Sequence, residues 1–414
     1  MDTRRDAREM MATSAYTSEA WYSRGQQPRQ ILPLDAYKSA EWYRREQAEL
    51  FGRNWLFAGM AEDWKKPGDY RCVQAGPSSL IVLRDKENAL RAFHNVCRHR
   101  GARLLQGEGH VGKAITCFYH SWTYDLSGRL NSVTMERDQF PGIDKSCLGL
   151  HAARVATWKN LVFVHADPKA EALEDWLADV PEKLGPFEPG QLHPHDPETL
   201  VEVSDVVYRV HANWKIVSEN FIDGYHLPLL HPVSLGDGDF RGQKWEPAGR
   251  HQAFYRPLKA GIMHDKQALP LVAGIPGTFG ASYQWLFPNI ALYATATSWS
   301  TFHVIPVGPT ESLVQSRIRA MPEALERAAR SDDVPIELPP HVVSAKGPYA
   351  ETRLKAPKAH PLKSNNVMLE DIYACEAVQR GMESPACVVG PLSRWEAPLT
   401  FFQQQILDCV PLRA

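Results

Sequence analysis

Two groups of side chains in this 414-residue chain have the types and spacing to do chemistry. His226 and His231 lie five residues apart in NWKIVSENFIDGYHLPLLHP (213–232), with Glu219 and Asp223 just before them. Two neutral imidazoles plus one carboxylate suit one side of an iron ion, leaving the other side open. The second group is Cys97-Arg98-His99, then seventeen residues, then Cys117-Phe118-Tyr119-His120. Each half offers one thiolate and one imidazole. Four such donors could hold a tetrahedral zinc ion. They could also hold a [2Fe–2S] cluster with two cysteines on one iron and two histidines on the other. Zinc sites more usually keep cysteine pairs and histidine pairs apart. Here each half mixes the two, and the following Ser121-Trp122-Thr123-Tyr124 and Asp125-Leu126-Ser127-Gly128 favour the cluster.

These residues need elements to position them. Asn213 is a plausible N-cap, and Trp214, Val217, Phe221 and Ile222 make an apolar stripe at helical spacing. Glu219, Asp223 and His226, at i, i+4 and i+7, then fall on one helix face. Gly224 and Pro228 are expected to end the helix, with His231 on the turn beyond. Upstream, DYRCV, SLIVLRD and ALRAFHNV read as short strands separated by turns. They predict a small antiparallel β domain from Trp55 to about Asp167, with each cysteine–histidine loop at the end of a strand pair. Residues 1–30 read as a loose arm, followed by a helix from Asp35, its cap, to Arg53. Residues 168–200 read as a connection with one short helix, Glu171–Lys183.

VEVSDVVYRVHANW alternates like a strand and leads into the histidine helix. Residues 233–280 read as active-site loops and 281–320 as strands. Alternation puts Tyr283, Trp285 and Phe287 on one side and Ser282 and Gln284 on the other. His303 reads as a sheet-face residue rather than a ligand. Residues 322–333 predict a short helix, 334–364 a lid-like excursion, and 365–381 a helix capped by Asn365 or Asn366. That last helix carries Glu370 and Asp371, with Val367, Ile372, Cys375 and Val378 facing inward. Residues 397–410 predict an amphipathic closing helix.

Composition sets outer limits. Hydrophobic residues make up 44% and charged residues 23%, the balance of an ordinary globular protein. A net charge of −2 calls for neither nucleic acid nor an anionic membrane surface. No apolar leader and no run of about 18 apolar residues is present, so a cytoplasmic protein with no membrane partner is expected. Seven cysteines suit a reducing compartment better than a disulfide framework.

With both groups in this order, the chain from about Leu32 to Ile406 resembles the large (alpha) subunit of a Rieske non-haem iron oxygenase. HNVCRHRGARL and CFYHSWTYDLSG resemble that family's cluster loops, and Glu219-x3-Asp223-x2-His226-x4-His231 resembles its mononuclear iron motif. Respiratory-type Rieske proteins carry an extra cysteine in each loop, where Ala102 and Tyr119 stand here. The resemblance implies an α+β fold: an all-β Rieske domain and a catalytic domain with a curved antiparallel sheet around the iron helix. The implied domains are 1–54 (arm and helix), 55–167 (Rieske) and 168–414 (catalytic). A [2Fe–2S] cluster on Cys97, His99, Cys117 and His120 is implied. So is Fe(II) on His226, His231 and Asp371, with the adjacent and chemically equivalent Glu370 as the alternative. Asp223, supported by Glu219, would bridge His226 to the cluster histidine His120 of a neighbouring subunit in a head-to-tail homotrimer. Electrons would come from NAD(P)H through a ferredoxin or a flavin or iron–sulfur reductase.

The texture is similar to the homo-oligomeric branch acting on choline, glycine betaine and carnitine, and to ring hydroxylases. Tyr225, Trp285, Phe287, Tyr293 and Trp299 could form an aromatic cage for a quaternary ammonium. They could equally line a slot for an aromatic acid whose carboxylate meets Arg or Lys in 241–260. Hydroxylation, oxidative N-demethylation and ring dihydroxylation all remain open. The rivals of another class are a non-catalytic Rieske electron carrier and a zinc-stabilised binding protein.

Overall fold

In the computed structural model the described residues are 27–183, 199–263, 269–328, 341–350 and 360–413. Most of the expected arm, and much of the 168–200 connection and of the 334–364 excursion, lie outside them. The chain is α+β and divides into two compact units: residues 44–176, and residues up to 43 together with 177 onward. The sequence placed these changes at 54/55 and 167/168.

The helix expected over Asp35–Arg53 is broken. Leu34–Tyr37 is a single 3-10 turn, α1 spans Ala40–Arg45, and a π-helical turn (Glu46–Leu50) and a 3-10 turn (Phe51–Arg53) follow. Asp35 is not the cap. Ser39 Oγ accepts from the amides of Glu41 and Trp42 at the start of α1.

The unit from 44 to 176 is β-rich. Its main sheet has seven strands in the order β1 (Leu56–Met60), β10 (Leu161–His165), β9 (Ala152–Trp158), β4 (Leu90–His94), β3 (Ser78–Arg84), β2 (Asp69–Ala75) and β5 (Glu108–His110). A second sheet joins β6 (Ala114–Thr116), β7 (Thr123–Asp125) and β8 (Leu130–Ser132), and every pair is antiparallel. Ile81, Phe93, Ile115, Trp122, Tyr124 and Leu130 form one buried core with Cys97 and Cys117. The Asp125–Gly128 turn closes β7 to β8. Gly128 has φ +84°, and a Cβ there would strike the Phe93 ring, so glycine is required on both counts. The helix expected at Glu171–Lys183 is two pieces, α2 (Leu173–Leu177) and a 3-10 turn (Val180–Lys183), split by Ala178 in the left-handed region at φ +47°.

The other unit is built on an eight-stranded antiparallel sheet. Its order is β12 (Lys244–Ala248), β13 (His251–Arg256), β14 (Ala281–Leu286), β15 (Ile290–Thr295), β16 (Trp299–Gly308), β17 (Glu311–Ala320), β11 (Val201–Val210) and β18 (Val342–Lys346). Three of these strands correct the sequence reading. β12 and β13 lie where only loops were expected, because their mixed polar and apolar residues hide the alternation. β18 lies inside the expected lid and pairs with β11. Four helices matter to the site: α3 (Trp214–Ile222), α4 (Leu227–Leu230), α5 (Val367–Glu383) and α6 (Ala397–Cys409). α3 packs on β16, α5 and α6. As expected, Asn213 caps α3, its side chain accepting from the Lys215 amide, and Asn366 caps α5 through the Leu369 amide. On α5, Ile372 and Cys375 are buried, but Val378 is exposed; Leu369, Glu370 and Gln379 complete the inner face instead. No helix among the described residues is long and apolar enough to cross a membrane.

Candidate active site

The two cysteine–histidine loops share one construction. The Cys97 amide donates to the Ala102 carbonyl and the Gly101 amide donates back to Cys97; the Cys117 amide donates to Trp122 and the Ser121 amide donates back to Cys117. Gly101 and Ser121, each four residues past its cysteine, both have positive φ. Each loop therefore folds back tightly over its own cysteine. Asn95, buried, steadies the first loop: its Oδ1 accepts from the Leu104 and Leu105 amides. Tyr124 steadies the pair, with its hydroxyl 3.3 Å from Cys97 Sγ while accepting from the Arg98 amide. Both lie in the loop stretches HNVCRHRGARL and CFYHSWTYDLSG, but neither has a role legible in the sequence, because each acts through neighbours that only the fold supplies.

The donors pair by kind. The buried Cys97 and Cys117 thiols contact each other, and the His99 and His120 rings meet edge to face at 4.5 Å. His99 stacks on Trp122 at 4.9 Å, and its Nδ1 is buried with no hydrogen-bond partner among the described residues. Burial pushes the Cys97 thiol up, against the pull of the Tyr124 hydroxyl. Burial, then His120 and Arg100, holds the His99 imidazole below its ordinary range and so favours the neutral ligand form. A single zinc would need all four donor atoms about 4 Å or less from one another. Among the described residues these four do not gather that closely. Sulfur beside sulfur and nitrogen beside nitrogen, with an orphaned buried ring nitrogen, fits a cluster of two irons.

The second site has a different geometry. Among the described residues, one group of three, His226, His231 and Asp371, has donor atoms all within 4.8 Å of one another. His231 Nε2 lies 2.9 Å and His226 Nε2 3.7 Å from Asp371 Oδ1. Each opposite ring nitrogen is taken by another carboxylate: His226 Nδ1 donates to Asp223 Oδ2 at 2.9 Å, and His231 Nδ1 to Glu370 Oε2 at 2.7 Å. Glu370 is itself fixed by the Ser234 hydroxyl at 2.6 Å. A carboxylate on Nδ1 sets the tautomer and aims the Nε2 lone pair at a shared point. Burial lowers the His231 imidazole, but Asp371 and then Glu370 reverse this and leave it raised. The donor set therefore fits one iron on three protein atoms.

Local structure differs from the expectation here. α3 ends at Ile222, so Asp223 is its C-cap and His226 lies beyond it, not on its face. Pro228 does not stop α3; it sits in the first turn of α4, where its missing amide hydrogen costs nothing. His226 precedes α4 and His231 follows it. Glu219 is one turn back and buried, its Oε1 accepting from the Tyr37 hydroxyl at 2.7 Å and the Gln403 amide at 2.9 Å.

A cavity of about 430 Å³ opens beside His226, His231 and Asp371. Its sheet wall follows strand alternation: Arg256 on β13, Tyr283 on β14, Tyr293 and Thr295 on β15, Ser300 and Phe302 on β16. Phe221 of α3 stacks on Phe302 at 4.9 Å. Of the expected pocket residues, Tyr293 lines the cavity. Trp285 and Phe287 share the face of Tyr283, as alternation predicts, but Phe402 of α6 covers both. Trp299 has the opposite parity to Ser300 and is buried elsewhere, and Tyr225 is exposed. Phe221, Tyr283 and Phe302 are the aromatic lining absent from the expected pocket.

Comparison with known proteins matches two segments of the chain. Residues 54–146 match the Rieske [2Fe-2S] domain, and residues 197–412 match the ring hydroxylating alpha subunit catalytic domain. Choline monooxygenase from Amaranthus tricolor is 27% identical over 82% of this chain and 69% of its own length. The glycine betaine monooxygenase oxygenase subunit of Chromohalobacter salexigens is 35% identical over 66% of this chain and 67% of its own. A quaternary ammonium Rieske monooxygenase, whose structure was described as bearing on carnitine oxidation and inter-subunit electron transfer, shares the fold. It has a TM-score of 0.69 at 21% identity and covers 92% of this chain and 99% of its own.

Proposed function

The chain belongs to the ring-hydroxylating oxygenase alpha subunits that carry a Rieske domain, and from that premise we propose how its residues divide the work. As a member it is an oxidoreductase, an oxygenase component whose cofactors are a Rieske [2Fe–2S] cluster and a mononuclear iron. In our reading Cys97, His99, Cys117 and His120 hold the cluster, and His226, His231 and Asp371 hold the iron. When bound, these groups supply one-electron transfer and O2 activation. The observation that carries the assignment is the opposed pairing of each imidazole, with Nδ1 on Asp223 or Glu370 and Nε2 toward Asp371.

The protein's own side chains then do the rest. Asp223 and Glu370 hold the Nδ1 protons so that both Nε2 lone pairs stay free. Phe221, Phe302, Val367 and Met368 line the volume beside the iron residues, where they exclude water and hold the carbon to be oxidised. Asp223 is only partly buried and keeps an outward side. That suits a bridge from His226 to His120 of the partner subunit. On this reading the working unit is a head-to-tail homotrimer in the cytoplasm, supplied by a ferredoxin or a flavin or iron–sulfur reductase. Glu219, engaged with Tyr37 and Gln403, supports the bridge only by fixing α3. The substrate is a small organic compound, a quaternary amine or an aromatic acid, that is hydroxylated or N-demethylated.

Two measurements test this. The purified protein is expected to be red-brown, with a visible spectrum that bleaches on reduction; a colourless protein sinks the cluster assignment. With a surrogate reductase and NADH, at least one compound from a panel of quaternary amines and aromatic acids is expected to stimulate O2 uptake. Silence across that panel sinks the substrate assignment.

A further inference from the structure

Among the described residues the cavity wall contains one cation that the iron site does not use. Arg256, the last residue of β13, is 8% exposed and lines the cavity. Its Nη2 donates to the Tyr293 hydroxyl at 3.0 Å, and its guanidinium lies 5.4 Å from the centre of the Phe240 ring. Among the described residues no carboxylate lies within 4.0 Å of it. Of its five N–H donors only one has a protein acceptor among the described residues, so the rest of the fork is left for something else. Asp237 also lines the cavity, exposed and outside ion-pair distance of Arg256. A buried guanidinium with no carboxylate in contact is costly, and a ligand carboxylate would complete it. The backbone is arranged for it. A Cβ on Gly280 would run into the Arg256 carbonyl, so glycine there lets the chain close on β13 and set the cavity edge.

The surroundings favour a polar anion over a bare hydrocarbon. Thr295, Ser298, Ser300 and Ser316 place hydroxyls around the same cavity. Tyr283 also lines it, and its hydroxyl makes no hydrogen bond among the described residues. Burial raises Tyr283 while Arg256 pulls against that rise, and the phenol remains a donor. A guanidinium fork matches a carboxylate better than any neutral acceptor. The other basic side chains of 241–260 do not line the cavity.

We propose that this site takes a small monocarboxylate, its carboxylate on Arg256 and its oxidisable end toward His226, His231 and Asp371. This rests on the reading of the same cavity as an oxygenase pocket and narrows its substrate class. Both an aromatic acid and a betaine satisfy it; an alcohol such as choline does not.

The test is titration calorimetry on the purified holoenzyme with two matched pairs, glycine betaine against choline and benzoate against benzyl alcohol, plus sulfate. At least one acid is expected to bind, and its alcohol partner at least ~10-fold more weakly. Arg256→Met is expected to weaken that acid by roughly 10- to 100-fold and leave the alcohol nearly unchanged, with Arg256→Lys in between. Visible absorption and melting confirm that each variant folds; if Arg256→Met does not, the matched pairs and Arg256→Lys decide. The proposal is overturned if alcohols bind as well as acids, if no acid binds, if sulfate binds as well as the acids, or if the variants bind acids like the wild type. O2 uptake is scored separately. Acids that bind while no compound stimulates uptake refute the oxygenase pocket and leave the Arg256 assignment standing. Uptake driven only by neutral compounds does the reverse.

Discussion

At the residue scale, the site turns on two adjacent carboxylates. Glu370 and Asp371 are chemically alike and one position apart, so the sequence leaves open which of them holds the metal. A helix turns by about 100° per residue, and that rotation aims the two side chains differently. Asp371 Oδ1 faces both Nε2 atoms, while Glu370 turns to His231 Nδ1 and Ser234. Asp371→Ala is expected to lower bound iron from about three atoms per chain to about two and leave the colour intact. Glu370→Gln should keep the iron but bind it roughly 10- to 100-fold more weakly, since it loosens the His231 ring rather than removing a ligand. Metal analysis and chelator competition separate the two, and the opposite pattern would exchange their roles. Asp223→Asn is expected to retain both metals and sharply lower coupled turnover; loss of iron in that variant would contradict the bridge.

At the level of elements, α3 is held by polar contacts that the sequence does not announce. Gln30, Tyr37, Gln403 and Glu219 form one buried network joining the N-terminal segment, the first 3-10 turn, α6 and α3. Burial pushes the Glu219 carboxyl up to about 7, against the Tyr37 and Gln403 hydrogen bonds and the positive Lys215, with Asp223 adding to the rise. The native state then binds this proton more tightly than the unfolded chain, whose carboxyl sits at 4.5. Its stabilising effect is complete below about pH 4.5 and is lost as pH rises toward 7, a change on the order of 3 kcal/mol. Glu219→Gln keeps the acceptor oxygen and removes the titration. It is expected to flatten stability between pH 5 and 7 and to exceed the wild type at pH 8. Urea melts across that range check this, and parallel profiles would refute it. The same elements show how far pattern reading reaches. Asn213 and Asn366 were legible because capping is a local event. The end of α3 was not, because Pro228 can close one helix or open the next and only the path of the chain decides. Trp285 and Phe287 were assigned to the correct face but not to the correct cover, since Phe402 is distant in sequence.

At the scale of the molecule, the two motifs made the fold class and both cofactors legible before any coordinate, because metal ligation fixes residue type and spacing together. The limits of the compact units were less legible, since residues 34–53 carry one helical pattern that the fold breaks into four short pieces. Where the electrons travel belongs to this scale. If they pass from His120 of one subunit to Asp223 of the next, a subunit without a cluster and a subunit without iron can repair each other. Chains carrying Cys97→Ser and chains carrying His226→Ala would be co-expressed with different tags and purified through both. Each variant alone is expected to be inactive. The mixed oligomer is expected to recover up to about one third of wild-type O2 uptake with substrate, because one of the three junctions in any mixed ring joins an intact cluster to an intact iron. Light scattering should give about three times the 46.6 kDa of one chain. Were electrons confined to a single chain, every chain in the mixture would lack one of its two centres. Mixed oligomers of the right mass, folded by their melting curves yet inactive, would therefore place the whole path within one subunit and remove the reason for the ring.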